Sequence, residues 1–238
     1  MTCVGASYLK RQLADQVQIV EERIKAACRR AGRARGEVTM VAVTKSVSVD
    51  VAALLVELGI KDLGENRPQT FWERAPILPK ARWHLIGHLQ RNKIERTLPL
   101  VHLLHSVDSQ RLLISLEAES AKRQRPLDVL LEINASREAN KQGFAPEDLS
   151  GLVSEVAKLR WIRVCGLMTM AALTDNPEEA RPTFASLRNL RDQLRRELPA
   201  PHDLIHLSMG MSQDFDVAIE EGATLVRLGT VLFEGLAS

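Results

Sequence analysis

"VTMVAVTKSVSVDVAALLVELG", residues 38–59, holds one complete structural unit. Apolar and β-branched residues fill positions 38–44, as in a strand. Lys45 stands at the tip of that run, small polar residues follow, and apolar residues then recur at helical spacing from Val49. A strand with no polar alternation is covered on both faces, which is the condition of a parallel sheet whose crossovers are helices.

Outward from this unit the pattern repeats. Strand-like runs occupy 38–44, 60–65, 82–87, 100–107, 127–134, 162–168, 203–209 and 224–229. Helix-like runs lie between them, at 49–59, 66–75, 89–97, 108–124, 145–159, 176–198 and 212–222. Eight such strands predict an α/β fold, a (β/α)8 TIM-type barrel, for which roughly 250 residues is usual. The rival is an open doubly wound sheet, which places a glycine-rich phosphate loop after its first strand. Here that strand is followed by "KSVSV", without glycine. Leu9, Leu13, Val17, Val20, Ile24 and Ala27 form one apolar stripe on an extra N-terminal helix, expected to pack outside the barrel. No low-complexity linker divides the chain, so residues 1–238 read as a single barrel domain.

Composition narrows the function. With 32 Lys and Arg against 30 Asp and Glu, the net charge of +2 argues against an electrostatic nucleic-acid binder. Cys3, Cys28 and Cys165 are odd in number and form no CxxC or Cys/His cluster, so a reduced cytoplasmic setting is expected, with no structural metal. The charged N-terminal segment reads as a folded helix, not a signal peptide, and no apolar run reaches membrane-spanning length.

In a barrel of this kind the chemistry collects at the C-terminal ends of the strands. Val41, Val43 and Lys45 share one face of the first strand, and Leu225, Arg227 and Gly229 share one face of the last. If those faces point inward, two cations meet in one barrel mouth. That is tolerable with an anionic or electron-rich ligand, or with carboxylate partners. Each cation also has an ordinary reading: a solvated strand-end lysine, and a strand arginine paired to a carboxylate. In "HLSMGMSQDFDVAIEEG", Ser208, Gly210 and Ser212 are small residues that let backbone N–H groups approach a ligand, and Asp214 is placed to cap the next helix. "LGT", 228–230, adds a glycine and a hydroxyl. These loops follow the seventh and eighth strands, where the fold often binds phosphate. The alternative is a pair of turns with helix caps. A phosphate, a strand-end lysine and an arginine together suggest pyridoxal 5′-phosphate, whose aldehyde needs an amine. A phosphate-substrate isomerase without cofactor is the other reading of the same loops.

"AVTK", "LGEN", "WHLIGHLQRNK", "HSVDS", "KQGF", "GLMTM" and "LSMGMSQDFDVAIEEGATLVRLGT" run from about residue 38 to the C-terminus. In combination they resemble the pyridoxal-phosphate homeostasis protein family, which is related to the N-terminal barrel of alanine racemase, a type III pyridoxal-phosphate fold. The resemblance implies that Lys45 holds pyridoxal 5′-phosphate covalently as a Schiff base. It implies that Ser208, Gly229 and Thr230 hold the phosphate, that Arg227 faces the pyridine nitrogen, and that Asn66, His84 and Met209 lie near the ring. No catalytic residue and no metal are expected. Pro68 and Thr70 depart from the family pattern.

An arginine at the pyridine nitrogen leaves a weaker electron sink than a carboxylate does. Racemization would need a second base on the opposite face, and related racemases take a tyrosine from another domain. Here the only tyrosine is Tyr8, on the first helix. The expectation is a binding protein that buffers or delivers the cofactor, with apo-enzymes as candidate recipients and the chain as a monomer. The alternative is a weak amino-acid racemase on the same lysine. Lys141, after the fifth strand, reads as a solvated loop lysine, with transient cofactor contact as the alternative.

Overall fold

A computed structural model describes residues 3–136 and 142–236; Lys141 lies outside them. Every strand-like run forms a strand: β1 Thr39–Val43, β2 Asp62–Glu65, β3 Arg82–Leu85, β4 Leu103–Val107, β5 Leu127–Glu132, β6 Ile162–Met168, β7 His206–Ser208 and β8 Leu225–Leu228. They pair in parallel, in chain order, into a closed barrel. The helices are α1 Cys3–Arg30, α2 Val49–Glu57, α3 Pro68–Arg74, α4 Ile94–Thr97, α5 Gln110–Arg123, α6 Leu149–Val156, α7 Arg181–Glu197, α8 Phe215–Glu220 and α9 Thr230–Phe233.

The differences from the sequence pattern have local causes. β4 begins at Leu103, not at residue 100, because the amides of Leu100 and Val101 both bond back to the Thr97 carbonyl and wind on from α4. β7 is short because Leu204 adopts a left-handed φ of 43°, which delays the extended run. α9 was not expected from the pattern; four residues are too few to show a helical period. Pro68 is the first residue of α3, where its missing N–H would be unpaired in any case.

Strand parity is as expected. Val41 and Leu225 pack inside the barrel with Leu103, Leu130, Cys165 and Met168. Cys165 and Met168 are three residues apart yet share the interior. The pairing steps from Val129↔Val164 to Leu130↔Gly166, so Cys165 is the extra residue of a bulge. The alternate residues, such as Met40, Ala42 and Leu63, face the helices in a larger outer core.

α1 packs against this outside layer. Leu13, Val20, Ile24 and Ala27 are fully buried. Polar contacts fix its seat: Arg23 reaches Asp216 at 2.5 Å and lies over the Phe215 ring, and Arg30 pairs with Glu220 at 2.6 Å. Arg33, just past the helix, donates to the carbonyls of Ile219 and Ala223, both at 2.8 Å, and so caps the C-terminal end of α8. Among the described residues, no helix is long and apolar enough to cross a membrane.

Ile24→Ala should therefore cost about 2–5 kcal/mol of stability in urea unfolding. Ile19→Ala, on the exposed face of the same helix, should stay within about 0.5 kcal/mol.

Candidate functional site

A cavity of about 850 Å³ opens at the C-terminal ends of the strands, a size suited to a small-molecule ligand. Lys45, Asn66, Arg227, Gly229 and Thr230 line it. These five come from the ends of β1, β2 and β8, so the fold alone brings them together. β1 and β8 are neighbours, with Val41 in register with Arg227. Arg227 therefore lies on the floor of the cavity, 4 % exposed, and Lys45 lies at the rim, where it is exposed.

Arg227 is buried without an ion pair among the described residues. Its guanidinium donates to the Ser208 hydroxyl at 2.7 Å and to the Thr169 carbonyl at 2.9 Å. Burial pulls its pKa down to about 10, against the pull of the more distant Asp214 and Glu132 carboxyls. It remains a cation at neutral pH, aimed at a cavity and short of a counter-charge.

Ser208 and His84 do not line the cavity. They lie beneath it, in a buried chain that crosses the barrel. Ser208 Oγ meets His105 Nδ1 at 2.8 Å, His105 Nε2 meets His84 Nδ1 at 2.9 Å, and His84 Nε2 meets Asp62 Oδ1 at 3.0 Å. Burial, with the nearby His84 and Arg227, holds the His105 pKa well below the imidazole range, so that ring is neutral. Burial opposes the charge of Asp62, but hydrogen bonds from His84 and Arg82 outweigh it and keep the carboxyl below its usual pKa. Two ends of the chain have a fixed sense: Arg227 can only donate to Ser208, and the charged Asp62 can only accept from His84. The Ser208 hydroxyl is thus engaged by Arg227 and His105 beneath the cavity and is not among the residues that line it.

Met209 is elsewhere. Ser208 faces inward, so alternation turns Met209 outward into the helix-facing core, where it is fully buried. Its expected place near a ring in the cavity does not follow from this geometry.

The loops after β7 and β8 form one wall. Gly210 has a φ of 90°, and a Cβ there would come within 2.5 Å of the Ala218 Cβ, so only glycine makes this turn. Asp214 does not cap α8 as expected. Its Oδ1 instead accepts from the Met211 amide at 2.6 Å and closes the loop on itself. Ser212 Oγ accepts from the Val231 amide at 3.3 Å, which ties this loop to the start of α9 beside Gly229 and Thr230. On the opposite wall, a Cβ at Gly87 would lie 2.1 Å from the Asn66 carbonyl, so the exits of β2 and β3 can pack together only with glycine there.

Several lining residues had little or no signal in the sequence. Arg23 reaches the cavity from α1, and Met170 and Leu173 come from the loop after β6. His88 lines it too, paired to Asp108 at 2.7 Å. Glu132, at the end of β5 and not among the lining residues, could have been found by parity, because Leu130 points inward and Glu132 is two residues further along. It is 5 % exposed. Burial, then repulsion from Asp108, pushes its pKa up to about 7, with Arg227 and His88 pulling the other way. A smaller cavity of about 450 Å³ lies at the other end of the barrel, around Leu98, His102 and Arg125, and gathers none of the candidate residues. Among the described residues no cluster of three or more His, Cys, Asp or Glu side chains is placed to hold a metal ion.

Residues 18–236 match the family described as alanine racemase, N-terminal domain. The chain is 42 % identical over 221 residues to the pyridoxal phosphate homeostasis protein of Aquifex aeolicus, covering 92 % of this chain and 96 % of that protein. It is 36 % identical over 231 residues to the protein of the same name from Bos taurus, covering 91 % and 85 %. Among solved structures it resembles PipY of Synechococcus elongatus with PLP bound, with a TM-score of 0.81, 28 % identity, and coverage of 93 % of this chain and 99 % of that one. Alanine racemase from Corynebacterium glutamicum shares the fold, with a TM-score of 0.73 and 17 % identity over 96 % of this chain and 64 % of that one.

Glu132 yields a pH-dependent prediction. A carboxyl near pH 4.3 when unfolded, about, and raised to about 7 when folded favours the fold below its unfolded pKa. That contribution is lost as pH rises through about 7. Glu132→Gln removes this dependence. Its stability relative to wild type should climb between about pH 5 and pH 8, by up to about 3 kcal/mol. Urea unfolding of the cofactor-free proteins across that range is the check, and parallel curves would mean that the buried carboxyl stays ionised.

Proposed function

Because the chain belongs to the pyridoxal phosphate homeostasis protein family, built on the alanine racemase N-terminal barrel, we propose that it binds pyridoxal 5′-phosphate and serves to hold and pass on that cofactor. One observation carries the reading. A single cavity sets a lysine at its rim over a buried, unpaired arginine on its floor. Two linked loops with small residues form the wall beside them. That donor set fits a flat aromatic aldehyde with an anionic tail. When bound, the cofactor supplies an aldehyde that an amine can capture reversibly and a pyridine ring that draws electrons.

Each residue then has a task. Lys45, at the rim, would supply the amine that holds the cofactor's aldehyde. Gly229 and Thr230, with the Ser212 loop against them, hold the phosphate through backbone N–H and hydroxyl donors. Arg227 donates to the pyridine nitrogen, and Ser208 acts through Arg227 by fixing its guanidinium. Asn66 stands at the side of the ring. His84 supports the floor from below.

Binding is favoured over turnover. Arg227 is a donor-only partner that disfavours a protonated ring nitrogen and so limits carbanion chemistry. The chain's only tyrosine, Tyr8, is exposed on α1, accepts from Gln12 at 3.2 Å, and does not line the cavity. The expected working form is a cytoplasmic monomer whose recipients are apo-enzymes that need the cofactor.

Borohydride reduction of the loaded protein, followed by peptide mass spectrometry, should find the cofactor mass on Lys45. Lys45→Ala should retain the fold and lose at least about tenfold of the trapped cofactor, since Lys45 is the only lysine lining the cavity among the described residues. Full trapping on a different lysine would overturn the assignment. Incubation of holoprotein with amino acids in deuterium oxide should give negligible α-exchange; robust exchange would establish the racemase reading instead.

A further inference from the structure

Lys45 is the second residue of a tight turn. The turn is closed by the Val47 amide bonding to the Thr44 carbonyl at 3.1 Å. One guanidinium grips both ends of it. Arg74, the last residue of α3, donates to the Thr44 carbonyl at 2.7 Å and to the Val47 carbonyl at 2.6 Å. The same side chain donates to Glu65 Oε1 at 2.7 Å. Glu65 is fully buried at the end of β2, and its Oε1 also accepts from the Thr44 hydroxyl at 2.6 Å. The Thr44 amide bonds to the Gly64 carbonyl at 3.0 Å. Downstream, Ser48 accepts from the Val51 amide and caps α2.

This is more than a turn needs. Exposed turns commonly leave their carbonyls to water. Here the carbonyls of the residue before Lys45 and of the residue two beyond it are claimed by a planar, bidentate donor that is itself locked to a buried carboxylate. The backbone of Lys45 is therefore fixed while its side chain stays free in the cavity. Arg74 and Glu65 do not line that cavity, so neither is placed to touch a ligand.

We propose that Arg74, held by Glu65, is a positioning residue that presents Lys45 to the cofactor aldehyde. This rests on the reading of Lys45 as the attachment point. The phosphate and ring contacts come from other elements, the loops after β7 and β8 and the floor arginine. The clamp should therefore govern covalent capture and leave non-covalent recognition alone.

The test compares two ligands on wild type, Arg74→Lys and Arg74→Met. Arg74→Lys keeps a cation beside Glu65, but a single ammonium cannot reproduce the fork across both carbonyls, so it serves if the methionine variant fails to fold. Pyridoxal 5′-phosphate, followed by its absorbance change, reports capture. Pyridoxine 5′-phosphate, an alcohol that cannot attach, reports recognition alone. Capture by Arg74→Lys should slow by about tenfold to a hundredfold, while its affinity for pyridoxine 5′-phosphate stays within about twofold of wild type. Hydrogen exchange of the cofactor-free variant should rise across residues 44–48 and not in the loops after β7 and β8. Unchanged capture, or an equal loss for both ligands, overturns the inference while the functional reading stands. A wild-type protein that takes up no cofactor on Lys45 overturns both.

Discussion

The buried guanidinium of Arg227 is the constraint on which the site depends. A permanent cation inside a barrel is costly to desolvate, and no carboxylate pairs with it directly among the described residues. The barrel instead surrounds it with oriented dipoles. Ser208 accepts from Arg227 and meets His105, and the chain continues through His84 to a carboxylate, Asp62, that stays charged. Negative charge is thus linked to Arg227 only indirectly, through the three side chains of His84, His105 and Ser208, and the arginine still lines the cavity. A direct ion pair would be cheaper for the fold and would silence the site.

The rest of the site divides by height. The floor is polar and buried. The rim carries Lys45, whose backbone is held by Arg74 and Glu65 and whose amine is free. The wall between is glycine-bearing loop, Gly210 and Ser212 on one strand exit and Gly229 on the next. A packed floor and wall with an exposed amine above them suit the proposed capture and release of an aldehyde, because only the lysine side chain then has to move.

Much of this was legible in the sequence, for definite reasons. Uninterrupted apolar strands between helices specify a parallel barrel, and parity specifies that Lys45 and Arg227 share its mouth with Val41 and Leu225. Parity would also have shown Glu132. What could not be read was commitment. Ser208 has the composition of a phosphate ligand, but its hydroxyl is spoken for by two buried partners from β4 and β8. Asp214 has the composition of a helix cap, but it folds back on Met211. Met209 sits next to the right residue on the wrong side of the strand. Arg23 and Arg74 were hidden for a further reason: their roles depend on which distant partners the fold brings to them, the Asp216 carboxylate for one and the Thr44 and Val47 carbonyls for the other, and no spacing within their own helices records that.

The most direct test of the role given to Arg227 is nitrogen-15 NMR of the protein loaded with pyridoxal 5′-phosphate labelled at the ring nitrogen. A donor-only arginine on that atom requires an unprotonated pyridine, with its chemical shift constant across the neutral range. A pyridinium shift at neutral pH would contradict the assignment and return the cofactor to the class of strong electron sinks.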